Sequence, residues 1–240
     1  QEGSDRAHIP DPETYQRLQQ QAAEDPEGFW AQRAQELLDW DSPWETVLQA
    51  DWETPQFQWF AGGKLNACAN CLDRHVDNGR ADKPALIWQG EPEDDVRTFS
   101  YQDLRDQVVA FANVLKKWGV AKGDRVTLYL PMIPELSIAM LACARIGAIH
   151  SAVSAGFSAH SLQNRIQDCE AKILITADAV LRAGKQIPLK PNADEALAEC
   201  PSVEHCLVVQ RAGMDVAMQE GRDVWWHEAM ADDDGRDCPP

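Results

Sequence analysis

Two short stretches of this 240-residue chain carry residue types in an order that suits anion binding. The first is Arg182-Ala183-Gly184-Lys185. It lies in an interval between Asp178 and Asp194 that holds Arg182, Lys185 and Lys190 and no acid. The whole chain has 22 basic and 39 acidic residues, a formal net charge of −17, so a local run of positive charge stands against the global field. Such a patch can clamp a phosphate through charge-assisted hydrogen bonds. It also has the make-up of an ordinary solvated loop, and spacing alone leaves the two readings level. The second stretch is Ser154-Ala155-Gly156-Phe157-Ser158, between a strand pattern and a helix start. Small residues there let backbone N–H groups approach an anion at a helix N-terminus. With one glycine, the segment reads first as a plain strand-to-helix turn.

Other candidates carry less. Asp73, Arg74 and His75 are adjacent, and adjacent helical residues point in different directions, so surface ion pairs are expected there rather than acid–base work. Cys68 and Cys71 form a lone C-x-x-C. Zinc would need two further ligands at suitable spacing, and a redox pair would follow a strand and open a helix. Two buried free thiols are expected instead, and no metal site. His150 and His160 have no evident triad partners. A nucleophile elbow, a Walker-type phosphate loop and a dinucleotide glycine fingerprint are absent from the sequence.

The elements that must hold these stretches follow from periodicity. The spacing predicts helices from about 13 and from about 27, then an aperiodic, aromatic stretch over 40–60, then a helical pattern over 65–76. Strands are expected at 85–88 and 97–99. Ser100 caps the best helix, whose apolar face runs Leu104, Val108, Phe111, Ala112 and Leu115 and which Gly119 ends. Strands at 125–130, 150–153, 172–176 and 205–209 alternate with helices at 134–146, 158–171 and 193–198, the pattern of a parallel sheet with right-handed crossovers. The expected fold class is therefore α/β, a helical N-terminal extension followed by a parallel-sheet portion. The expected divisions are a disordered tail over 1–10, a helical, Trp-rich extension over 11–66, an α/β portion over 67–230 and an acidic linker over 231–240.

Composition excludes several classes. The acid excess repels a phosphate backbone, so general nucleic-acid binding is not expected. No apolar run approaches the ~20 residues of a membrane span, and residues 1–10 lack the apolar core of a secretory signal. Seven cysteines at irregular spacing point to a reducing compartment, so a cytoplasmic location without membrane partners is expected.

Several stretches, collinear over nearly the whole chain, resemble one family, the AMP-forming acetyl-CoA synthetases. They include Asp25-Pro26-Glu27-Gly28-Phe29-Trp30, Trp59-Phe60-Ala61-Gly62-Gly63-Lys64-Leu65-Asn66 and Asn70-Cys71-Leu72-Asp73-Arg74-His75. Further matches are Leu130-Pro131-Met132-Ile133-Pro134-Glu135, the run from Met140 to Ser151, Gln186-Ile187-Pro188-Leu189-Lys190 and Trp225-Trp226-His227. The resemblance implies the N-terminal portion of an adenylate-forming ligase. Such an enzyme joins acetate to CoA through acetyl-AMP, with ATP and Mg²⁺ as further substrates. It implies that the two stretches above meet the nucleotide end of CoA: Ser154, Ala155 and Gly156 in one, and Arg182, Ala183, Gly184 and Lys185 in the other. Arg182 would face the 3′-phosphate, and Lys185 would replace a second arginine as a point charge without its bidentate fork. Ser154 stands for an aromatic and Ala155 for a glycine.

The family's phosphate loop, acetate pocket, ribose-binding aspartate and catalytic lysine have no match here. No catalytic residue is therefore expected in this chain, and it is expected to be inactive as a fragment and to bind no cofactor tightly. The expected partners of the parent enzyme are small molecules (acetate, ATP and CoA), with self-association of the fragment through open strand edges. A propionate-activating relative and a truncated nucleotide- or partner-binding module are the alternatives.

Overall fold

The computed structural model describes residues 7–233 and 235–240. The chain divides into two compact units, residues 1–66 and 67–240. Of the expected tail, residues 1–6 lie outside the described residues.

The first unit opens with α1 (Pro12–Glu24) and α2 (Pro26–Leu37). Each starts by the same device: an aspartate accepts a hydrogen bond from an orphan backbone N–H, and proline fills the first helical position. Asp11 takes Thr14 N at 2.7 Å and Asp25 takes Gly28 N at 3.0 Å. The stretch read as aperiodic is a hairpin, β1 (Thr46–Asp51) with β2 (Gln56–Ala61). The unit is thus not helical throughout. Period-2 alternation did not appear because β2 is exposed along most of its length, with glutamines and aromatics sharing it. Its stability comes instead from cross-strand pairs such as Leu48 opposite Trp59 and Ala50 opposite Phe57. Trp40, Trp44 and Phe60 form a ring cluster with centroids 5.0–5.5 Å apart.

The second unit begins with α3 (Ala67–Cys71) and the single turn α4 (Asp73–His75). A hairpin of β3 (Pro84–Gln89) and β4 (Val96–Ser100) follows, then α5 (Tyr101–Lys117). Ser100 and Asp103 close a full capping box on α5. The predicted apolar face is buried at all five positions, each large side chain contributing about 1.5–3 kcal/mol.

The rest builds a five-stranded parallel sheet: β5 (Arg125–Leu130), α6 (Pro134–Arg145), β6 (Ile149–Ser154), α7 (Ala159–Cys169), β7 (Ile173–Ala177), α8 (Lys190–Leu197), β10 (His205–Val209), β11 (Asp223–Trp225) and α9 (Trp226–Ala231). A hairpin of β8 (Ala179–Arg182) and β9 (Lys185–Pro188) interrupts it between β7 and α8. The spatial order is β11-β10-β7-β5-β6. Strand β7 is buried at every residue and β5 at all but its first, as expected where helices cover both faces.

Within 231–240, expected as a linker, Asp233, Arg236 and Cys238 contact α5 and α6. Asn113 donates to Asp233 Oδ1 at 3.1 Å and to the Arg236 carbonyl at 2.7 Å, Arg145 Nε donates to the Cys238 carbonyl, and Cys238 is buried. The apolar Cys238 side chain and these polar partners offset the acidic composition that suggested a free segment.

Candidate functional site

The sheet order reverses at β5: the chain runs from β5 to β6 on one side, then crosses back to place β7 on the other. In open α/β sheets, ligands bind outside the carboxyl ends of strands at such a point. A cleft of about 730 Å³ lies there. Its walls come from the residues that leave successive strands: Pro131 and Met132 after β5, Ser154 to Phe157 after β6, Val180 to Arg182 after β7, and Arg211 after β10. Trp88 to Glu91, from the end of β3, complete it.

The 155–157 turn is held from beneath. Tyr129 Oη donates to the Phe157 carbonyl at 2.8 Å and lies 3.4 Å from that of Ala155. Arg165 covers the Phe157 ring at 4.8 Å. Ser158 caps α7 by accepting from Ser161 N at 3.3 Å. A Cβ at Gly156 would meet no atom within 4 Å, so the turn leaves open space beside it.

The predicted basic stretch forms the tip of the β8–β9 hairpin. Ala183 and Gly184 are its two central residues, with φ of +52° and +70°. Positive φ at both positions matches the right-handed twist of the strands they join. The Glu91 carboxylate bridges the tip, accepting from Ala183 N and from Gly184 N, the latter at 3.0 Å. Arg182 and Lys185 are exposed, and among the described residues neither side chain has a hydrogen-bond or ion-pair partner. The structure therefore brings Ser154, Ala155, Gly156 and Arg182 together in the cleft lining. It places Ala183, Gly184 and Lys185 outside that lining, on the hairpin tip. Lys190 leaves the basic patch altogether. It is buried and pairs with Asp194 at 2.6 Å and Asp223 at 2.8 Å.

Three features of the site escaped the sequence reading. Two guanidiniums lie over the Trp88 ring, Arg97 at 4.7 Å and Arg211 at 4.8 Å from its centroid, while its indole N–H donates to the Met132 carbonyl at 2.6 Å. The two arginines are fixed in turn by Glu135 at 2.7 Å and Asp95 at 2.6 Å. Asp178, buried at the end of β7, accepts from the backbone N–H groups of Ala179, Arg211, Ala212 and Met214 at 2.7–3.0 Å. It thereby fixes where Arg211 leaves the sheet. An aspartate directly after an apolar strand was the available signal. Three of its four partners, more than 30 residues downstream, were not legible.

Beyond the cleft, the side chain of Asp223, 0% exposed, pairs with Arg222 and Lys190. Burial alone would raise its pKa, but hydrogen bonds from Arg222, Gln219 N and Lys190 outweigh that and hold the carboxyl below its usual 3.8. The cysteine pair divides: Cys68 is buried and Cys71 is exposed, correcting the expectation of two buried thiols. Burial pushes the Cys68 thiol up to about 11, opposite to what a redox cysteine needs. Asp73 and Arg74 also part company, since Asp73 makes a bidentate pair with the buried Arg145 at 2.7 and 3.0 Å.

A family model described as "AMP-binding enzyme" matches residues 72–238, and one described as "Acetyl-coenzyme A synthetase N-terminus" matches residues 15–71. The chain belongs to the AMP-binding enzyme family. Among curated relatives of this family, an acetyl-coenzyme A synthetase of Rubrobacter xylanophilus is 55% identical over 239 residues, covering 100% of this chain and 36% of that protein. One of Gemmatimonas aurantiaca is 58% identical over 216 residues, covering 88% and 32%. The solved acetoacetyl-CoA synthetase of Streptomyces lividans superposes with a TM-score of 0.82 at 27% identity, over 92% of this chain and 33% of that one. The chain thus spans about a third of the length of the AMP-binding enzymes it matches, and aligns with an acetyl-CoA synthetase N-terminal region.

Proposed function

We propose that this chain is the N-terminal third of an AMP-forming acetate–CoA ligase, and that its cleft receives the nucleotide end of CoA. The full enzyme makes acetyl-CoA from acetate, ATP and CoA through acetyl-AMP, with Mg²⁺ on the nucleotide phosphates, in the cytoplasm. The observation that carries the proposal is Arg182. It is an exposed guanidinium with no partner among the described residues, in the lining of a cleft of about 730 Å³ in a chain of net charge −17.

In this reading Arg182 takes the 3′-phosphate, with its planar fork suited to two phosphate oxygens. Lys185 adds a point charge, and Ala183 and Gly184 shape the turn between them. Ser154, Ala155 and Gly156 line the floor, where small side chains leave room for the ligand. Acetate and ATP are handled by parts of the enzyme that this chain does not match. The chain alone binds without turning over.

The test uses the full-length enzyme. Arg182→Ala is expected to raise the KM for CoA at least about tenfold and to leave acetate-dependent pyrophosphate exchange unchanged. An unchanged KM for CoA would refute the assignment of the cleft, and absence of acetate-dependent exchange in the wild type would refute the reaction.

A further inference from the structure

The hairpin tip already holds an anion of the chain's own. Glu91 sits on the 90–95 loop between β3 and β4, and its two carboxylate oxygens take the Ala183 and Gly184 amides one each. A pair of adjacent backbone N–H groups in a positive-φ turn is an anion-receptive concavity, and it can serve one anion at a time. Arg182 and Lys185, opposite one another in the hairpin register, flank that concavity without being neutralised by Glu91 or by any other described residue. The carboxylate is thus held by two amides in a region whose two cations remain available.

We propose that Glu91 is a specificity-determining residue of the hairpin tip, an internal anion that a phosphate-bearing ligand must exchange for its own oxygens. This rests in part on the reading of the cleft as a CoA site, since it says how the cations beside that site become accessible.

Four considerations favour exchange over a permanent cap. A carboxylate carries one negative charge, whereas a phosphate monoester carries about 1.5 to 2 near neutral pH, so two free cations favour the phosphate. Glu91 is exposed, so its released carboxylate returns to water without a large desolvation cost. The loop that carries it does not depend on the hairpin contact: Gly90 N donates to the Asp95 carbonyl at 2.7 Å, Gln89 Nε2 donates to the Pro92 carbonyl at 2.8 Å, and Asp95 pairs with Arg211. The tip is also roomy, because a Cβ on Gly184 would meet nothing within 4 Å.

The probe is inorganic pyrophosphate, titrated into this chain while the Ala183 and Gly184 amide resonances are followed by NMR. Glu91→Gln removes the charge, keeps one acceptor oxygen for one amide and turns an N–H₂ donor toward the other. Glu91→Asp keeps the charge but withdraws it by one methylene. Exchange predicts that pyrophosphate moves both amides in the wild type, and that the midpoint falls at least about threefold in both variants. It also predicts that the response is lost in the Arg182→Ala, Lys185→Ala double variant. An unchanged or higher midpoint in both variants, or amides that pyrophosphate leaves unmoved in all three proteins, would overturn it. Leu181 and Gln186 resonances report whether the hairpin itself persists; if Glu91→Gln loses it, the Glu91→Asp midpoint alone decides. A chain that takes pyrophosphate at these amides but not CoA would refute the CoA reading and leave exchange standing. Arg182-dependent CoA binding with unmoved amides would do the reverse.

Discussion

Residues 178–190 contain two kinds of charge that the structure treats in opposite ways. Asp178 and Lys190, at the two ends of the β8–β9 hairpin, are buried and saturated, the first by four backbone N–H groups and the second by two carboxylates and the Ala217 carbonyl. Arg182 and Lys185, on the hairpin itself, are exposed and have no side-chain partner among the described residues. The buried pair anchors a loop, and its loss would leave charges without solvent or partner. The exposed pair costs the fold little and is available to a ligand. Charge in a sequence is thus not a guide to binding until burial has sorted it.

The comparison can be broken from the anchored side first. Asp178→Asn removes the buried charge and keeps one acceptor oxygen, while its N–H₂ group faces the backbone N–H donors that the other oxygen held, and a loss of about 4 kcal/mol or more is expected in urea unfolding. A loss below about 1 kcal/mol would show that Asp178 does not organise residues 211–214.

Asp223→Asn comes next, at about 3 kcal/mol at neutral pH, since Lys190 and Arg222 lose a partner in a buried setting. Its pH dependence has a definite sign. The folded pKa lies below 3.8, so the carboxylate's contribution is present above that value and is lost as pH falls through the lower, folded pKa. The stability difference between wild type and variant should narrow below pH 3.8; a constant difference would contradict the pairing.

On the exposed side, Arg182→Ala is expected to change stability by less than about 0.5 kcal/mol. A larger loss would mean that Arg182 is part of the scaffold. Of comparable size, Ala183→Gly removes a left-handed alanine at φ +52°. Relief of the Cβ clash, partly offset by chain entropy, should stabilise by about 0.5 kcal/mol in thermal melts. Destabilisation would sharpen the case that Ala183 is needed for packing at the tip.

The legibility of these features in the sequence divides along the same line. The α5 face from Leu104 to Leu115 and strands β5 and β7 were plain, because apolar periodicity and capping by Ser100 are local signals. The β1–β2 hairpin was not, because its exposed strand mixes glutamines with aromatics and its pairing is set across the turn. Arg182 and the Ser154 to Phe157 turn were visible as residue types. That both line one cleft follows from the sheet order, which periodicity does not encode. Glu91 and Trp88 stayed hidden since the hairpin tip, Met132 and Arg211, which they meet, lie tens of residues away, and Lys190 was misplaced because a buried and an exposed lysine look alike in a string of letters.

The most direct test of the central assignment is calorimetric titration of this chain with CoA and with dephospho-CoA, which lacks the 3′-phosphate, in wild type and in Arg182→Ala. The account predicts that CoA binds, that dephospho-CoA binds at least about tenfold more weakly, and that Arg182→Ala removes this difference. Equal binding of the two ligands, or a difference that survives in Arg182→Ala, would contradict it.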